Sequence, residues 1–184
     1  VVDHAVAQGL TLIARIDYVP DWARPEETTT RCLDEDGYDD YASFVGAFVE
    51  HFRGRVRHVI IWNEPNLSFE WGYRAPDPEA YTELLRQAYL AAKAADPDVV
   101  VLAAGLAPTL APEGDPWGMN ELVFLQRMYD AGAGQWFDGV AAHTYGLSFP
   151  ADEEPAEDRL NFRRVELLHE IMVTNGDDGK PVYI

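Results

Sequence analysis

An amide and a carboxylic acid directly follow an apolar strand pattern in the segment IIWNEPN, residues 60–66. Asn63 and Glu64 lie where the pattern stops, and Pro65 ends the strand because proline has no N–H to donate to the ladder. Proline also favours an extended backbone at the residue before it, which predicts an extended Glu64. A carboxyl group at the rim of an apolar interior suits general acid–base catalysis. From its position alone, the alternative role of Glu64 is that of a capping carboxylate or a salt-bridge partner.

A histidine and a tyrosine occupy the equivalent point of the segment AAHTYG, two predicted strands further along the chain. In a parallel sheet, His143 and Tyr145 would reach the same rim as Glu64. A histidine at a strand end also serves commonly as a structural hydrogen-bond donor, so its position alone leaves both roles open. The predicted convergence with Glu64 favours a functional site.

Strand and helix patterns alternate along the chain. Apolar, β-branched runs predict strands that begin near residues 10, 58, 99, 137 and 181. Apolar residues at three- and four-residue spacing predict helices between them, and the clearest helix has Asp77 before it and Pro78 at its first position. Strands that alternate with single helices form βαβ units, so we expect an α/β fold with a parallel sheet.

The loops that follow the predicted strands are longer than those that follow the helices. Residues 20–38, 64–77, 106–118 and 145–158 follow strands, whereas RGR and DPD are typical of the connections that follow helices. In parallel α/β folds the loops at the carboxyl ends of strands build the binding site. The loop lengths therefore predict that one face of the molecule carries the function.

Four of the five tryptophans lie at or just beyond the predicted strand ends, namely Trp22, Trp62, Trp71 and Trp117. For any one of them, packing within its own loop is an equal alternative. Four on one face favour a binding surface, and flat aromatic faces suit ligands with C–H surfaces and hydroxyl edges, such as sugars.

Composition excludes several classes of function. The net charge of -18 argues against nucleic acid and anionic membranes as partners, because both carry dense negative charge. The single cysteine excludes an internal disulfide. Histidine spacing gives no zinc motif, and no glycine-rich phosphate loop or nucleophile elbow follows a strand, so we expect neither a metal nor a cofactor. The first residues, VVDHAVAQGL, have the pattern of an amphipathic helix and do not indicate where the protein acts.

The segment WNEPN resembles the clan A glycoside hydrolases, which are retaining enzymes on a TIM barrel, and the chain looks closest to the groups around families 39 and 5. In that clan the fourth strand ends in Asn-Glu, so the resemblance implies that Glu64 is the general acid/base and that Asn63 binds the sugar 2-hydroxyl. DYVPDWARP resembles the stretch after the third strand, FDGVAAHTYG the sixth strand and KPVYI the start of the seventh. By the same resemblance His143 and Tyr145 line the catalytic subsite, and Trp22, Trp62 and Trp71 offer stacking surfaces.

The resemblance implies that residues 1–184 form a single partial catalytic domain, with strands 3 to 7 of a (β/α)8 barrel and without its N- and C-terminal βα units. A complete barrel takes about 250 residues. The family's nucleophilic glutamate would follow Ile184, so we expect a longer polypeptide to hydrolyse O-glycosidic bonds of an oligosaccharide or glycoside without a cofactor. The 184-residue chain alone is expected to be inactive.

Two other classes of function are compatible with parts of this pattern. A non-catalytic carbohydrate-binding barrel would keep the aromatic loops, and a glutamate shortly after Ile184 would favour the enzyme over this binder. An α/β scaffold without a ligand explains neither the loop asymmetry nor Glu64.

Overall fold

A computed structural model describes residues 1–184 and confirms the α/β class. Five strands form one sheet in which all pairs are parallel and neighbours in space are neighbours in sequence. The strands are β1 (Ile13–Ile16), β2 (His58–Ile61), β3 (Val100–Leu106), β4 (Gly139–Ala142) and β5 (Val182–Tyr183). Sequential parallel strands with a helix in each crossover are the arrangement of a TIM-barrel wall, as the sequence predicts.

Five α-helices accompany the sheet: α1 (Val2–Ala7), α2 (Tyr38–His51), α3 (Pro78–Ala95), α4 (Glu121–Asp130) and α5 (Val165–Thr174). Helix α3 begins as its sequence predicts, because the Asp77 side chain accepts a hydrogen bond from the Ala80 N–H at 2.9 Å and Pro78 occupies the first turn. Asn120 caps α4 in the same way through the Leu122 N–H. None of these helices has both the length and the apolar character that crossing a membrane requires.

The hydrophobic core lies between the sheet and its helices. In β2, Val59 and Ile61 are fully buried in this core, together with Leu84 and Leu85 of α3. Because strand side chains alternate between faces, the intervening residues of β2 project to the opposite side of the sheet. That opposite side corresponds to the interior of a barrel, and the side chains at its carboxyl-terminal rim form the site described below.

A buried hydroxyl links β2 to β3, and the neighbouring ladder between β3 and β4 is irregular. The register between β3 and β4 shifts between Ala103 and Leu106. Tyr81 of α3 donates its O–H to the Ile61 carbonyl at 2.8 Å and accepts from the Ala104 N–H at 2.7 Å. The tyrosine thus hydrogen-bonds a backbone carbonyl at the end of β2 and a backbone N–H of β3.

Candidate active site

The chain turns sharply where β2 ends. Trp62 and Glu64 have φ values of 73° and 42°, in the left-handed region that residues other than glycine rarely adopt. The predicted extended backbone at Glu64 is therefore wrong. The Glu64 N–H donates to the Gly105 carbonyl at 3.0 Å, and the Glu64 carbonyl accepts from the Leu67 N–H at 2.9 Å, with Pro65 second in the resulting turn. These tertiary bonds outweigh the local preference imposed by the proline.

Asn66 links three segments of the chain through its side chain, a role that was not predicted from sequence. It is completely buried, and its amide donates to the carbonyls of Ala107 at 2.8 Å and Met119 at 3.0 Å. Its Oδ1 accepts from the Ala107 N–H at 2.9 Å. One side chain therefore ties the turn after β2 both to the end of β3 and to the segment before α4. An asparagine just after a turn proline was the available signal.

Glu64 and His143 lie side by side at the rim. The Oε1 atom of Glu64 is 2.7 Å from Nδ1 of His143, and their side chains are 15% and 24% exposed. The imidazole lies against Gly105, where an added Cβ would come within 2.6 Å of Nε2. The second carboxyl oxygen, Oε2, makes no hydrogen bond within the protein. Glu64 is thus held through one oxygen while the other is free to exchange a proton with a ligand.

Tyr145 lies beside this pair. Its ring centroid is 6.2 Å from that of His143, and its side chain is exposed. The structure therefore places Glu64, His143 and Tyr145 together at the carboxyl ends of β2 and β4, as parallel strand ends require.

Asn63 is nearly buried, and its amide has a defined orientation. An Nη1–H of Arg15, which projects from β1, donates to Oδ1 of Asn63 at 2.8 Å. A guanidinium has donors only, so the amide oxygen must face Arg15 and the NH2 group must be turned away from it. The NH2 group makes no hydrogen bond within the protein, which leaves two donors for a ligand.

A chain of alternating charges supports Arg15. Oδ2 of Asp17 forms ion pairs with Arg15 Nε at 2.8 Å and with Arg31 Nη1 at 2.8 Å, and Arg31 Nε lies 2.9 Å from a carboxylate oxygen of Glu70. Burial alone would lower the pKa of Arg31, but hydrogen bonding to Asp17 and the charges of Asp17 and Glu70 raise it overall. None of these four residues was predicted as part of the site, although the single arginine in the apolar run TLIARID was a signal.

Trp62 and Trp71 do not offer stacking surfaces, so this expectation is wrong. They are 0% and 1% exposed. Trp62 packs edge-on against Trp71 with ring centroids 5.8 Å apart and against Tyr41 at 5.9 Å, and its Nε1–H donates to the Glu70 carbonyl at 2.8 Å. Both indoles belong to the core under the loops, because the 3-10 turn of residues 68–71 folds over the end of β2.

Trp22 and Trp117 do present their rings at the surface. Trp22 is 83% exposed and lines an apolar cavity of about 170 Å³ between the loop after β1 and the start of α2, together with Tyr18, Leu33 and Phe44. Neither Glu64 nor His143 lines this cavity. Trp117 is exposed on the loop before α4. Of the three tryptophans expected to bind substrate, only Trp22 has a face available for stacking.

The similarity to solved structures covers the whole chain. It superposes on a family 39 glycoside hydrolase from the gut symbiont Bacteroides cellulosilyticus WH2 with a TM-score of 0.71 and 22% identity, over 100% of this chain and 37% of that chain. A monomeric beta-xylosidase from Caulobacter crescentus CB15 gives a TM-score of 0.66 and 23% identity, over 99% of this chain and 38% of that chain. A family 39 beta-xylosidase from Caulobacter crescentus gives 0.65 and 25%, with the same coverage.

The chain therefore spans 37% to 38% of the length of these structures. Neither a protein-family model nor a curated protein sequence matches it. The similarity to solved structures confirms, for the fold, the resemblance that the motifs indicate. The chain has the fold of a continuous segment of the TIM barrel found in family 39 glycoside hydrolases.

Proposed function

We propose that this chain supplies the acid/base half of the active site of a retaining glycoside hydrolase that acts on β-glycosides. The observation that carries the proposal is the carboxyl group of Glu64, held by His143 at 2.7 Å through Oε1 while Oε2 stays free at the rim of the sheet. The similarity to beta-xylosidases supports β-xylosides as first substrates to test. Exposed Trp22 and Tyr145 are the surfaces on which sugar rings would stack.

The proposed reaction has two steps. Glu64 first protonates the glycosidic oxygen while a second carboxylate attacks the anomeric carbon, so that the bond to the leaving group breaks and a glycosyl-enzyme forms. Glu64 then takes a proton from water, which attacks the anomeric carbon and releases the sugar with its original configuration. The second carboxylate would come from the continuation of β5 after Ile184, about 5–5.5 Å from Glu64 as retention requires.

The side chains around Glu64 would position and orient the reacting groups. His143 holds the carboxyl group of Glu64 in one place, and it rests on Gly105. Asn63 would donate its NH2 group to a sugar hydroxyl next to the reacting carbon. Tyr145 would orient the nucleophile or contact the sugar.

The test is hydrolysis of an alkyl β-xyloside by the full-length polypeptide and its Glu64→Gln variant. An alkoxide leaves poorly without a proton, so loss of the acid should lower kcat/KM by about 10²- to 10⁴-fold. The matched control is Glu79→Gln, which changes an exposed carboxylate of α3 paired with Arg127 and should leave the rate unchanged. A wild type that binds xylosides without hydrolysing them would indicate a carbohydrate-binding protein, and a Glu64→Gln variant with the wild-type rate would contradict the assignment.

A further inference from the structure

We infer that Arg15 is a positioning residue that fixes the side-chain amide of Asn63, so that the site presents an NH2 donor to its ligand and never the amide oxygen. The identity of that ligand as a sugar rests on the proposed function, whereas the orientation of the amide does not. Arg15 itself lies on β1, and Asn63 lies just after the neighbouring strand β2.

The first support is the chemistry of the contact. The Arg15 guanidinium donates to Oδ1 of Asn63 at 2.8 Å and has no acceptor that could receive an amide N–H instead. A flipped amide would place two N–H groups against a cation, so only one of the two orientations is stable. The charge of Arg15 also makes this hydrogen bond stronger than one between neutral groups.

The second support is that Arg15 cannot follow the amide if it rotates. Its Nε is held by Asp17 at 2.8 Å, Asp17 is held by Arg31 at 2.8 Å, and Arg31 is held by Glu70 at 2.9 Å. Arg31 also lies over the ring of Tyr18, 4.2 Å from its centroid. The donor to Asn63 is therefore anchored to the loops that follow both β1 and β2.

A consequence for specificity follows from the fixed donor. The ligand atom that meets Asn63 must be a hydrogen-bond acceptor, such as a hydroxyl or carboxylate oxygen. A group without an acceptor at that position would leave a nearly buried NH2 unpaired and would be disfavoured.

The first experiment records the side-chain NH2 signals of Asn63 by NMR in the 15N-labelled 184-residue chain, where Asn63→Asp identifies them. Arg15→Met should shift these signals, and Arg15→Lys, which keeps a cationic donor, should restore them at least in part. Both variants should fold, because the Arg15 side chain is 44% exposed and the ion pair between Asp17 and Arg31 remains. Arg55→Met is the control, since Arg55 pairs with Asp3 away from the site. Unchanged Asn63 signals in Arg15→Met would overturn the inference.

The second experiment is a double-mutant cycle on kcat/KM for an aryl β-xyloside in the full-length polypeptide. Arg15→Met should lower kcat/KM about 2- to 10-fold, the range of one hydrogen bond. If Arg15 acts through Asn63, the double variant Arg15→Met/Asn63→Ala should be no slower than Asn63→Ala alone. Independent, multiplying losses would contradict the inference. A wild type without hydrolysis would refute the proposed function instead, and the NMR experiment would still decide the role of Arg15.

Discussion

Nδ1 of His143 lies 2.7 Å from Oε1 of Glu64, although 79 positions separate the two residues in the chain. The contact depends on a third position between them in the sheet. Gly105 of β3 has no side chain, and the imidazole occupies the space that a Cβ would fill. A glycine in the middle strand thus allows side chains from the two flanking strands to meet.

Replacing this glycine should separate the pair. In Gly105→Ala the new Cβ would lie 2.6 Å from Nε2 of His143, so the imidazole must shift, and we expect this to disturb its contact with Glu64. We expect altered imidazole NMR signals of His143 and a loss of stability of about 1–3 kcal/mol from overpacking. The matched control is Gly179→Ala, where no atom lies within 4 Å of the added Cβ. His143 signals identical to those of the wild type in Gly105→Ala would show that glycine is not required for the contact.

Removing the hydroxyl of Tyr81 should destabilise the sheet just below the site. Tyr81→Phe removes the hydrogen bonds of this hydroxyl to the Ile61 carbonyl and the Ala104 N–H in a fully buried place. The expected loss in the free energy of unfolding is about 1–3 kcal/mol, measured by urea denaturation. Tyr73→Phe, at an exposed tyrosine, should change the stability by less than about 0.5 kcal/mol. Equal effects of the two substitutions would mean that the two bonds of Tyr81 contribute nothing specific.

The buried ion pair between Arg164 and Glu121 should be essential for the loop after β4. Both side chains are almost completely buried, and Arg164 also donates to the carbonyls of Ala156 and Glu157 at 2.8 Å each. Arg164→Met should lower the free energy of unfolding by about 3–5 kcal/mol, because it leaves the buried Glu121 carboxylate without its cationic partner. Adding Glu121→Gln should recover part of this loss in urea denaturation, since it removes the buried charge. Simple addition of the two single effects would argue against coupling between the residues.

Stability should fall in alkaline solution because of buried tyrosines. Burial raises the pKa of Tyr38, Tyr41, Tyr81 and Tyr129 above the ordinary value. The unfolded chain therefore loses these protons first, so the stabilisation is complete below about pH 10 and decreases as the pH rises toward the folded-state pKa values. Urea denaturation at increasing pH, followed with tyrosinate absorbance, should show these tyrosines ionising together with unfolding. Ionisation of all nine tyrosines while the chain remains folded would contradict the burial.

That Glu64 and His143 lie at the same edge of the sheet could be predicted from sequence, because this follows from the topology. Parallel strands bring their carboxyl ends to one edge, and the alternation of strand and helix patterns identifies the strands. The helix limits at Asp77 and Pro78 were predictable for a related reason, since capping is a local effect.

The predictions that were wrong or not made concern features that depend on contacts between distant segments of the chain. Trp62 and Trp71 were expected at or just beyond a strand end as stacking surfaces, but the turn of residues 68–71 packs them into the core, and no local pattern encodes that packing. The left-handed backbone of Glu64 contradicts the preference that Pro65 imposes and is held by a bond to Gly105 on another strand. Arg15 was read as part of a strand, because its partners Asp17 and Asn63 become meaningful only when β1 and β2 are paired.

The most direct test of the central claim is the configuration of the product that Glu64→Ala forms with azide in the full-length polypeptide. With an activated aryl β-xyloside, the leaving group departs without an acid, and azide attacks the glycosyl-enzyme without needing a base. The proposed role of Glu64 as acid/base predicts that azide restores turnover and that the product, identified by NMR, is the β-configured xylosyl azide. An α-configured azide, or no acceleration by azide, would contradict that role.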